Sequence, residues 1–175
     1  PSASLIASNF NSPTNTNKFV KEANRILNEV EGECSWMYET LHTDGMTKGR
    51  VNYIVWSDVF ICPGCVKEVV FWEVAVDKES GKIHSNFLCP HCNSSLTKNL
   101  MERAWITKFD AATNQTIRQA KQVPVLINYS ISKRRFYKNP DSIDFALIEK
   151  IENTEIPYWF PASRLFEGGE TRRND

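Results

Sequence analysis

The sequence predicts an α+β fold in which β-hairpins that carry paired cysteines and an additional antiparallel β pair are flanked by an N-terminal and a C-terminal helix. Three observations predict this class: two close pairs of cysteines, helical periodicity near both ends, and runs of β-branched and aromatic residues between them. We therefore expect a helical arm over residues 1–50, a β domain over 51–138, and a C-terminal helix with an irregular tail over 139–175.

The N-terminal arm contains two predicted helices. Residues 1–11 form a short helical stretch, and several capping residues follow between Ser12 and Thr16. The next helix is expected to end at Gly32, and the face opposite its apolar residues is charged. Its apolar positions recur at helical spacing and predict one apolar stripe: Phe19, Ala23, Ile26, Leu27 and Val30.

Four cysteines have the spacing of metal ligands. Cys62-Pro-Gly-Cys65 and Cys89-Pro-His-Cys92 are separated by 23 residues. Paired thiolates at this spacing favour one structural Zn²⁺ without an open coordination position, and the expected ligands are Cys62, Cys65, Cys89 and Cys92. Gly64 is expected to supply a left-handed turn. The alternatives are two disulfides, a redox pair, or His91 as a ligand in place of Cys92.

The segments around the cysteines have the order of a zinc ribbon. The run Val51–Ile61 is β-branched and aromatic, which predicts a strand leading into Cys62. Glu68–Val76 is a second expected strand, Asp77–Gly81 a hairpin turn, and Lys82–Leu88 the returning strand.

A further β pair and a helix follow the second cysteine pair. The expected strands are Glu102–Asp110 and Thr116–Ile131. Pro124 places the second of these at a sheet edge or breaks it, because proline donates no ladder hydrogen bond. The last helix starts at Pro140-Asp141, and one of its faces carries Ile143, Leu147, Ile148 and Ile151.

Composition indicates the cellular compartment and argues against a membrane-spanning protein. The 175 residues include 21 basic and 21 acidic side chains, so net charge indicates no partner. No apolar window approaches the ~18 residues of a membrane span. Five cysteines, four of them in pairs, favour a reducing cytoplasm, and Cys34 is expected to be a buried small hydrophobe. Because the chain starts at Pro1 and stops at Asp175, we expect a segment of a longer protein.

Positive charge is concentrated in one segment. Residues 98–138 contain nine basic and two acidic side chains, with aromatic residues beside them. Such a segment suits phosphate neutralisation and base stacking, and the candidate DNA contacts are Arg118, Lys121, Lys133, Arg134, Arg135, Tyr137 and Lys138. The alternative is a solvated sheet face that pairs with the acidic C-terminal helix.

No catalytic constellation is visible in the sequence. A zinc deaminase requires His-x-Glu and Pro-Cys-x-x-Cys segments, whereas His42 and His84 precede Thr43-Asp44 and Ser85-Asn86. A phosphate-binding Gly-rich loop and a nucleophile–base pair are also lacking. We therefore expect no catalysis by these residues alone.

Several segments in this order cover essentially the whole chain: Ser2–Asn11, Trp36–Thr40, the two cysteine pairs, Lys121–Ser130, Glu155–Pro161 and Arg172–Asp175. Through them the chain resembles the internal zinc-ribbon region of large bacterial and archaeal adenine-specific DNA methylases. In that family a catalytic domain transfers a methyl group from S-adenosylmethionine to N6 of adenine in DNA. The family's cofactor loop lies before the part that resembles Pro1, and its Asp-Pro-Pro-Tyr motif lies beyond the part that resembles Asp175.

The sequence departs from a complete methylase at both catalytic motifs. Asn139-Pro140-Asp141 and Ile156-Pro157-Tyr158 each lack part of Asp-Pro-Pro-Tyr. The resemblance therefore implies a cytoplasmic zinc-ribbon insert that aids DNA engagement or target recognition, with S-adenosylmethionine bound only by the full-length parent. Its expected partners are DNA and the catalytic domain of the same chain, with no membrane. The alternative is a purely structural or protein-docking zinc module of that methylase.

Overall fold

The computed structural model describes residues 2–110 and 113–161. The structure confirms the α+β class, with antiparallel strands in several sheets and a helix near each end. The predicted tail beyond Pro161, including Arg172–Asp175, lies outside the described residues. Within the described part, no helix is both long and apolar enough to cross a membrane.

Four α-helices and ten strands alternate with two short 3-10 helices among the described residues. In chain order the elements are α1 Ser2–Asn11, α2 Thr16–Cys34, a 3-10 helix Ser35–Tyr38, β1 Glu39–Leu41, β2 Lys48–Ile61, β3 Glu68–Val70, α3 Phe71–Ala75, β4 Phe87–Leu88, β5 Ser95–Leu96, a 3-10 helix Lys98–Leu100, β6 Glu102–Arg103, β7 Trp105–Asp110, β8 Gln115–Ala120, β9 Gln122–Ile131, β10 Arg134–Lys138 and α4 Ser142–Glu152.

The strands form one six-stranded sheet and two two-stranded sheets. The large sheet has the order β1-β2-β9-β10, and β3 and β6 also pair with β2. The small sheets are β4-β5 and β7-β8, the second being the predicted additional antiparallel pair. By internal contacts the chain divides into two compact units: the first comprises residues 1–52 and 129–136, and the second comprises residues 53–128 and those from 137 on.

In the first unit, α2 extends further than predicted. Asn15 caps it, since its side chain accepts a hydrogen bond from the Lys18 backbone N–H at 3.0 Å. The helix continues through Gly32 to Cys34 because nothing at Gly32 imposes a left-handed backbone. Arg25 binds both Glu22 and Glu29 one turn away on either side. No α2 residue is buried, so its apolar stripe is exposed.

The buried centre of the first unit is Tyr129, whose side chain is 0% exposed. Its hydroxyl lies 2.6 Å from Nδ1 of His42, and its ring stacks on Phe136 with centroids 5.7 Å apart. A Cβ at Gly49 would lie 2.4 Å from the Tyr129 ring. Only glycine therefore fits at this position of β2.

In the second unit, the core surrounds two of the cysteines. Strand β2 brings Phe60 into this core and leads directly to Cys62, and β3 and β6 pair antiparallel with the end of β2. The buried cluster consists of Phe60, Cys62, Val69, Ala75, Phe87, Cys89, Leu96 and Met101. The cysteine pairs are thus anchored in the apolar core of this unit.

The predicted strand Glu68–Val76 is wrong beyond Val70, because α3 replaces its second half. The helical turn places Phe71 and Ala75, four residues apart, toward the same core. The Phe71 ring lies 5.7 Å from that of Phe60, and the Trp72 backbone N–H donates to Ser57 Oγ at 2.9 Å. The returning strand is shorter than expected: beyond an isolated bridge between Val76 and Ile83, only Phe87–Leu88 is a strand.

The predicted strand Thr116–Ile131 breaks at Lys121 and not at Pro124. Lys121 leaves the β8 ladder to donate its backbone N–H to Ala104 at 2.7 Å and to accept from Val59 at 3.0 Å. Pro124 lies within β9. Since β10 has 5 residues against 10 in β9, and a two-residue turn joins them, β10 does not extend to Pro124. A missing N–H is tolerated at such a position.

The C-terminal helix α4 begins as predicted. Asp141 is its N-cap, and Asp144 completes a capping box by accepting from the Asp141 backbone N–H at 2.9 Å. Nζ of Lys138 lies 2.7 Å from Asp141 and 2.8 Å from Asp144. Because the Lys138 and Asp144 side chains are 5% and 4% exposed, this is a buried ion pair.

Candidate metal centre

The two cysteine pairs fold into matching turns in the second unit. In the first turn, the Cys62 carbonyl accepts from the Val66 N–H at 2.8 Å and the Cys62 N–H donates to Lys67 at 2.9 Å. In the second, the Cys89 carbonyl accepts from Asn93 at 3.0 Å and the Cys89 N–H donates to Ser94 at 2.9 Å. Each turn therefore forms backbone hydrogen bonds within itself. The two turns together bring their four sulfurs close to one another.

Left-handed backbone occurs one residue after each pair rather than at Gly64. Val66 has φ 59° and Asn93 has φ 58°, whereas Gly64 is not in the left-handed region. The predicted role of Gly64 is therefore wrong. A Cβ on Gly64 would lie 3.0 Å from Ser94 Oγ and 3.7 Å from Cys92 Sγ. Glycine is needed here for the close approach of the two turns.

The four sulfurs have the spacing of a tetrahedral metal site. All four lie within 4.8 Å of one another, and the pairs Cys62–Cys92 and Cys65–Cys89 are each separated by 3.8 Å. A regular tetrahedron with Zn–S bonds of about 2.3 Å has edges of about 3.8 Å. These four cysteines can hold a metal ion, and their soft thiolate set fits Zn²⁺.

The alternatives to a four-cysteine site do not match this geometry. A disulfide requires about 2.05 Å between sulfurs, and all five cysteines are free thiols. His91 directs Nε2 to the Glu68 carbonyl oxygen at 3.1 Å, and its backbone N–H donates to Cys89 Sγ at 3.4 Å. His91 thus supports the second turn, while Cys92 supplies the sulfur. The fifth cysteine, Cys34, ends α2 in the first unit and is half-buried, not fully buried as predicted.

The pKa values of Cys92 and Cys65 are shifted in opposite directions. Hydrogen bonds from the Ser94 hydroxyl and backbone lower the pKa of Cys92 to about 6. The Lys67 backbone N–H acts in the same direction on Cys65, but burial and the neighbouring thiols raise the pKa of Cys65 to about 12. Ionising all four clustered thiols is unfavourable because neighbouring thiolates repel one another, whereas a divalent cation stabilises all four as thiolates.

The site is buried on one side and open on the other. Cys62 and Cys89 are 0% and 1% exposed, Cys65 is half-buried and Cys92 is exposed. The buried pair would hold an ion against the core, and the exposed side would provide its entry path. With four sulfur ligands there is no open position for a reacting water, which is the arrangement of a structural site.

The basic segment is partly neutralised in the structure. Four of its nine cations form ion pairs: Arg103 with Asp58, Lys108 with Glu152, Lys121 with Glu68, and Lys138 with Asp141 and Asp144. Two of the predicted DNA contacts, Lys121 and Lys138, belong to this group. Lys138 is 9% exposed, and we assign it a structural role in place of a phosphate contact.

The other predicted DNA contacts are exposed but belong to different units. Lys133, Arg134 and Arg135 lie at the β9–β10 turn in the first unit. Arg118 and Tyr137 lie in the second, where the Tyr137 hydroxyl is 3.4 Å from that of Tyr53. Within residues 2–110 and 113–161, none of the four cations has a carboxylate partner.

Sequence reasoning missed two aromatic side chains beside Arg118. Trp105 and Phe109 occupy alternate positions of β7, and their side chains are 50% and 62% exposed. The Arg118 guanidinium lies 4.9 Å from the Trp105 ring centroid. The sequence signal for this pair is the even spacing of Trp105 and Phe109 along a predicted strand, because residues at even spacing lie on the same face.

Comparisons with known proteins identify no family for this chain. The sequence matches no protein-family model, and it has no significant match among curated proteins or solved structures.

Proposed function

We propose that this chain is a zinc-bearing module of an adenine-specific DNA methylase, and that it engages DNA for the catalytic domain of the same protein. The methylase assignment is supported by the resemblance of the quoted segments. Structural zinc is supported by four sulfurs at tetrahedral spacing. Four thiolate ligands suit a reducing compartment such as the cytoplasm.

One observation carries the DNA engagement. Lys133 lies in the two-residue β9–β10 turn, and Arg134 and Arg135 begin β10; all three are exposed and have no carboxylate partner in the described part of the chain. A projecting, unneutralised cluster can approach the phosphates of a duplex without first breaking ion pairs. The zinc contributes folding free energy to the second unit and takes no part in methyl transfer.

The test of this proposal is a DNA titration at several salt concentrations. Each neutralised phosphate steepens the dependence of log affinity on log salt by about 0.9. Replacing Arg134 and Arg135 together with Ala is expected to flatten the slope by about 2 and to weaken binding to unrelated duplexes equally. Tyr137→Ala is expected to leave the slope nearly unchanged, because stacking moves no counterions.

A charge-matched variant controls for the loss of net charge. Lys18 and Lys21 on α2 are exposed, and replacing both with Ala removes the same two charges from a different surface. If this control flattens the slope as much as the Arg134/Arg135 variant, the binding is a general charge effect. An unchanged slope in both variants would refute phosphate contacts at the β9–β10 turn.

Protein docking is a second candidate function, favoured by the exposed apolar stripe of α2. Phe19, Leu27 and Val30 are 62%, 64% and 49% exposed. Contiguous exposed apolar residues of this kind mark interaction surfaces. The resemblance suggests the catalytic domain of the same methylase as the partner.

Calorimetry with a separately produced catalytic domain separates the two candidates. Ile26→Asp combined with Leu27→Asp is expected to abolish binding if α2 docks there, while the DNA titration stays unchanged. The Lys18/Lys21 variant is the control on the opposite face. We also expect the isolated chain to bind no S-adenosylmethionine and to transfer no methyl group, which a radiolabel transfer assay would check.

A further inference from the structure

The β7–β8 hairpin presents a distinctive outer face. Its antiparallel register pairs Trp105 with Ala120, Thr107 with Arg118, and Phe109 with Thr116, so these six side chains share one side of the hairpin. All of them except Ala120 are exposed. We call this side the β7–β8 outer face.

The opposite side of the same hairpin has a structural role. Ile106, Lys108 and Ile117 are half-buried, and Lys108 pairs with Glu152 of α4 at 3.0 Å. Folding of the hairpin is therefore accounted for by its inner side. The aromatic residues of the outer face are not needed for that packing.

The outer face has a cation placed between two aromatic rings. Arg118 is directly opposite Thr107, so its two diagonal neighbours across the strands are Trp105 and Phe109. Its guanidinium leans over the Trp105 ring, 4.9 Å from the centroid. No carboxylate binds Arg118 within the described ranges, and the face itself contains no acidic residue.

We propose that the β7–β8 outer face binds single-stranded nucleic acid by stacking unpaired bases on Trp105 and Phe109, with Arg118 placed to neutralise a phosphate. This proposal rests on the proposed nucleic-acid function and specifies a second class of substrate for it. Exposed rings combined with a cation that has no carboxylate partner in the described ranges are the elements of single-strand binding surfaces. A duplex cannot use these rings, because its base faces are already stacked.

The chemistry of the face favours a nucleic acid over a protein. Thr107 and Thr116 alternate here with the rings, so the face offers separate stacking positions beside a cation and not one continuous apolar patch. The two rings are four residues apart on one strand, which corresponds to about 13 Å at about 3.3 Å per residue. Each ring can therefore take a different base of one extended strand.

The test measures fluorescence anisotropy of a labelled oligothymidylate and of a labelled duplex with the zinc-loaded 175-residue chain. Trp105→Leu and Phe109→Leu are each expected to lower affinity for the oligothymidylate by about 5- to 150-fold and to leave duplex affinity unchanged. Trp105→Tyr retains a stacking ring and is expected to keep most of the affinity. Arg118→Ala is expected to flatten the single-strand salt slope by about 0.7.

Matched controls come from exposed aromatic residues elsewhere in the chain. Trp159 and Phe10 are 89% and 88% exposed. Trp159→Leu and Phe10→Leu are expected to leave both affinities unchanged. Circular dichroism and zinc content of every variant establish that the fold is retained, and Trp105→Tyr keeps the test valid if Trp105→Leu does not fold.

Four results would overturn the proposal. If the parent chain binds duplex but not oligothymidylate, or if Trp105→Leu and Phe109→Leu bind oligothymidylate like the parent, the outer face is not a stacking surface and the duplex function stands. If neither nucleic acid binds, both proposals fail. If the Leu variants lose only concentration-dependent self-association in sedimentation, the face is an interface between copies of this chain.

Discussion

Val66 and Asn93 occupy equivalent positions in the two cysteine turns, and both have left-handed backbone, with φ of 59° and 58°. Each directly follows the second cysteine of its pair. Asparagine tolerates this conformation, whereas a β-branched valine is strained in it. Val66 is 76% exposed, so its side chain gains little from packing. The first turn therefore stores strain that the second avoids.

Exchanging these two residue types is expected to change stability in opposite directions. Val66→Asn should raise the free energy of unfolding by about 1 kcal/mol, because the strained side chain is removed. Asn93→Val should lower it by a similar amount. Denaturant unfolding of the zinc-bound chain measures both. Equal and unchanged midpoints would show that the metal site, not side-chain type, fixes the two turns.

Metal content is the most direct prediction for the cysteine cluster. We expect one zinc ion per chain, measured by atomic emission, and its loss when Cys65 is replaced by Ala. Structural zinc contributes on the order of 10–16 kcal/mol in small peptide modules, so this variant should lose the β3–β5 region. The helices outside this region, α1, α2 and α4, should remain by circular dichroism. Cys34→Ala is the control and is expected to keep the full zinc content.

The buried ion pair of Lys138 predicts a large loss on truncation. Lys138→Met should lower the free energy of unfolding by about 3 kcal/mol, since it leaves Asp144 buried without its cation. Adding Asp144→Asn should restore part of the loss by removing that charge. Lys133→Met, at an exposed position without a carboxylate partner in the described chain, should change stability by less than about 0.5 kcal/mol.

Asp44 predicts a pH effect in the turn before β2. The Thr47 hydroxyl, together with the backbone N–H groups of Thr47 and Met46, lowers the pKa of Asp44 to about 2. A lowered pKa in the folded state stabilises the turn above the ordinary pKa, and this stabilisation is lost as pH falls through about 2. Thr47→Val should raise the Asp44 pKa toward its ordinary value of 3.8, as measured by NMR titration of the side chain. An unshifted titration would contradict the Thr47 hydrogen bond.

Local patterns predicted the elements that depend on local forces. Cysteine spacing identified four residues whose sulfurs converge, and helical periodicity and capping residues identified α2 and α4. The errors occurred where tertiary contacts determine the secondary structure or the burial of a residue. The apolar run after Glu68 has strand propensity, but the core contacts of Phe71 and Ala75 favour a helical turn. Similarly, Lys138 was predicted as a DNA contact, whereas its burial depends on the carboxylates of Asp141 and Asp144 at the start of α4.

The cysteine turns also make the chain between them a site for engineering. They fix both ends of residues 66–88, and the Asp77–Gly81 turn in the middle is exposed from Lys78 onward. Gly81 has no atom within 4 Å of an added Cβ. Doubling the length of a flexible loop costs only about 0.6 kcal/mol. An epitope or a fluorophore-binding peptide can therefore be inserted here as a label, because the two cysteine turns hold the ends of residues 66–88.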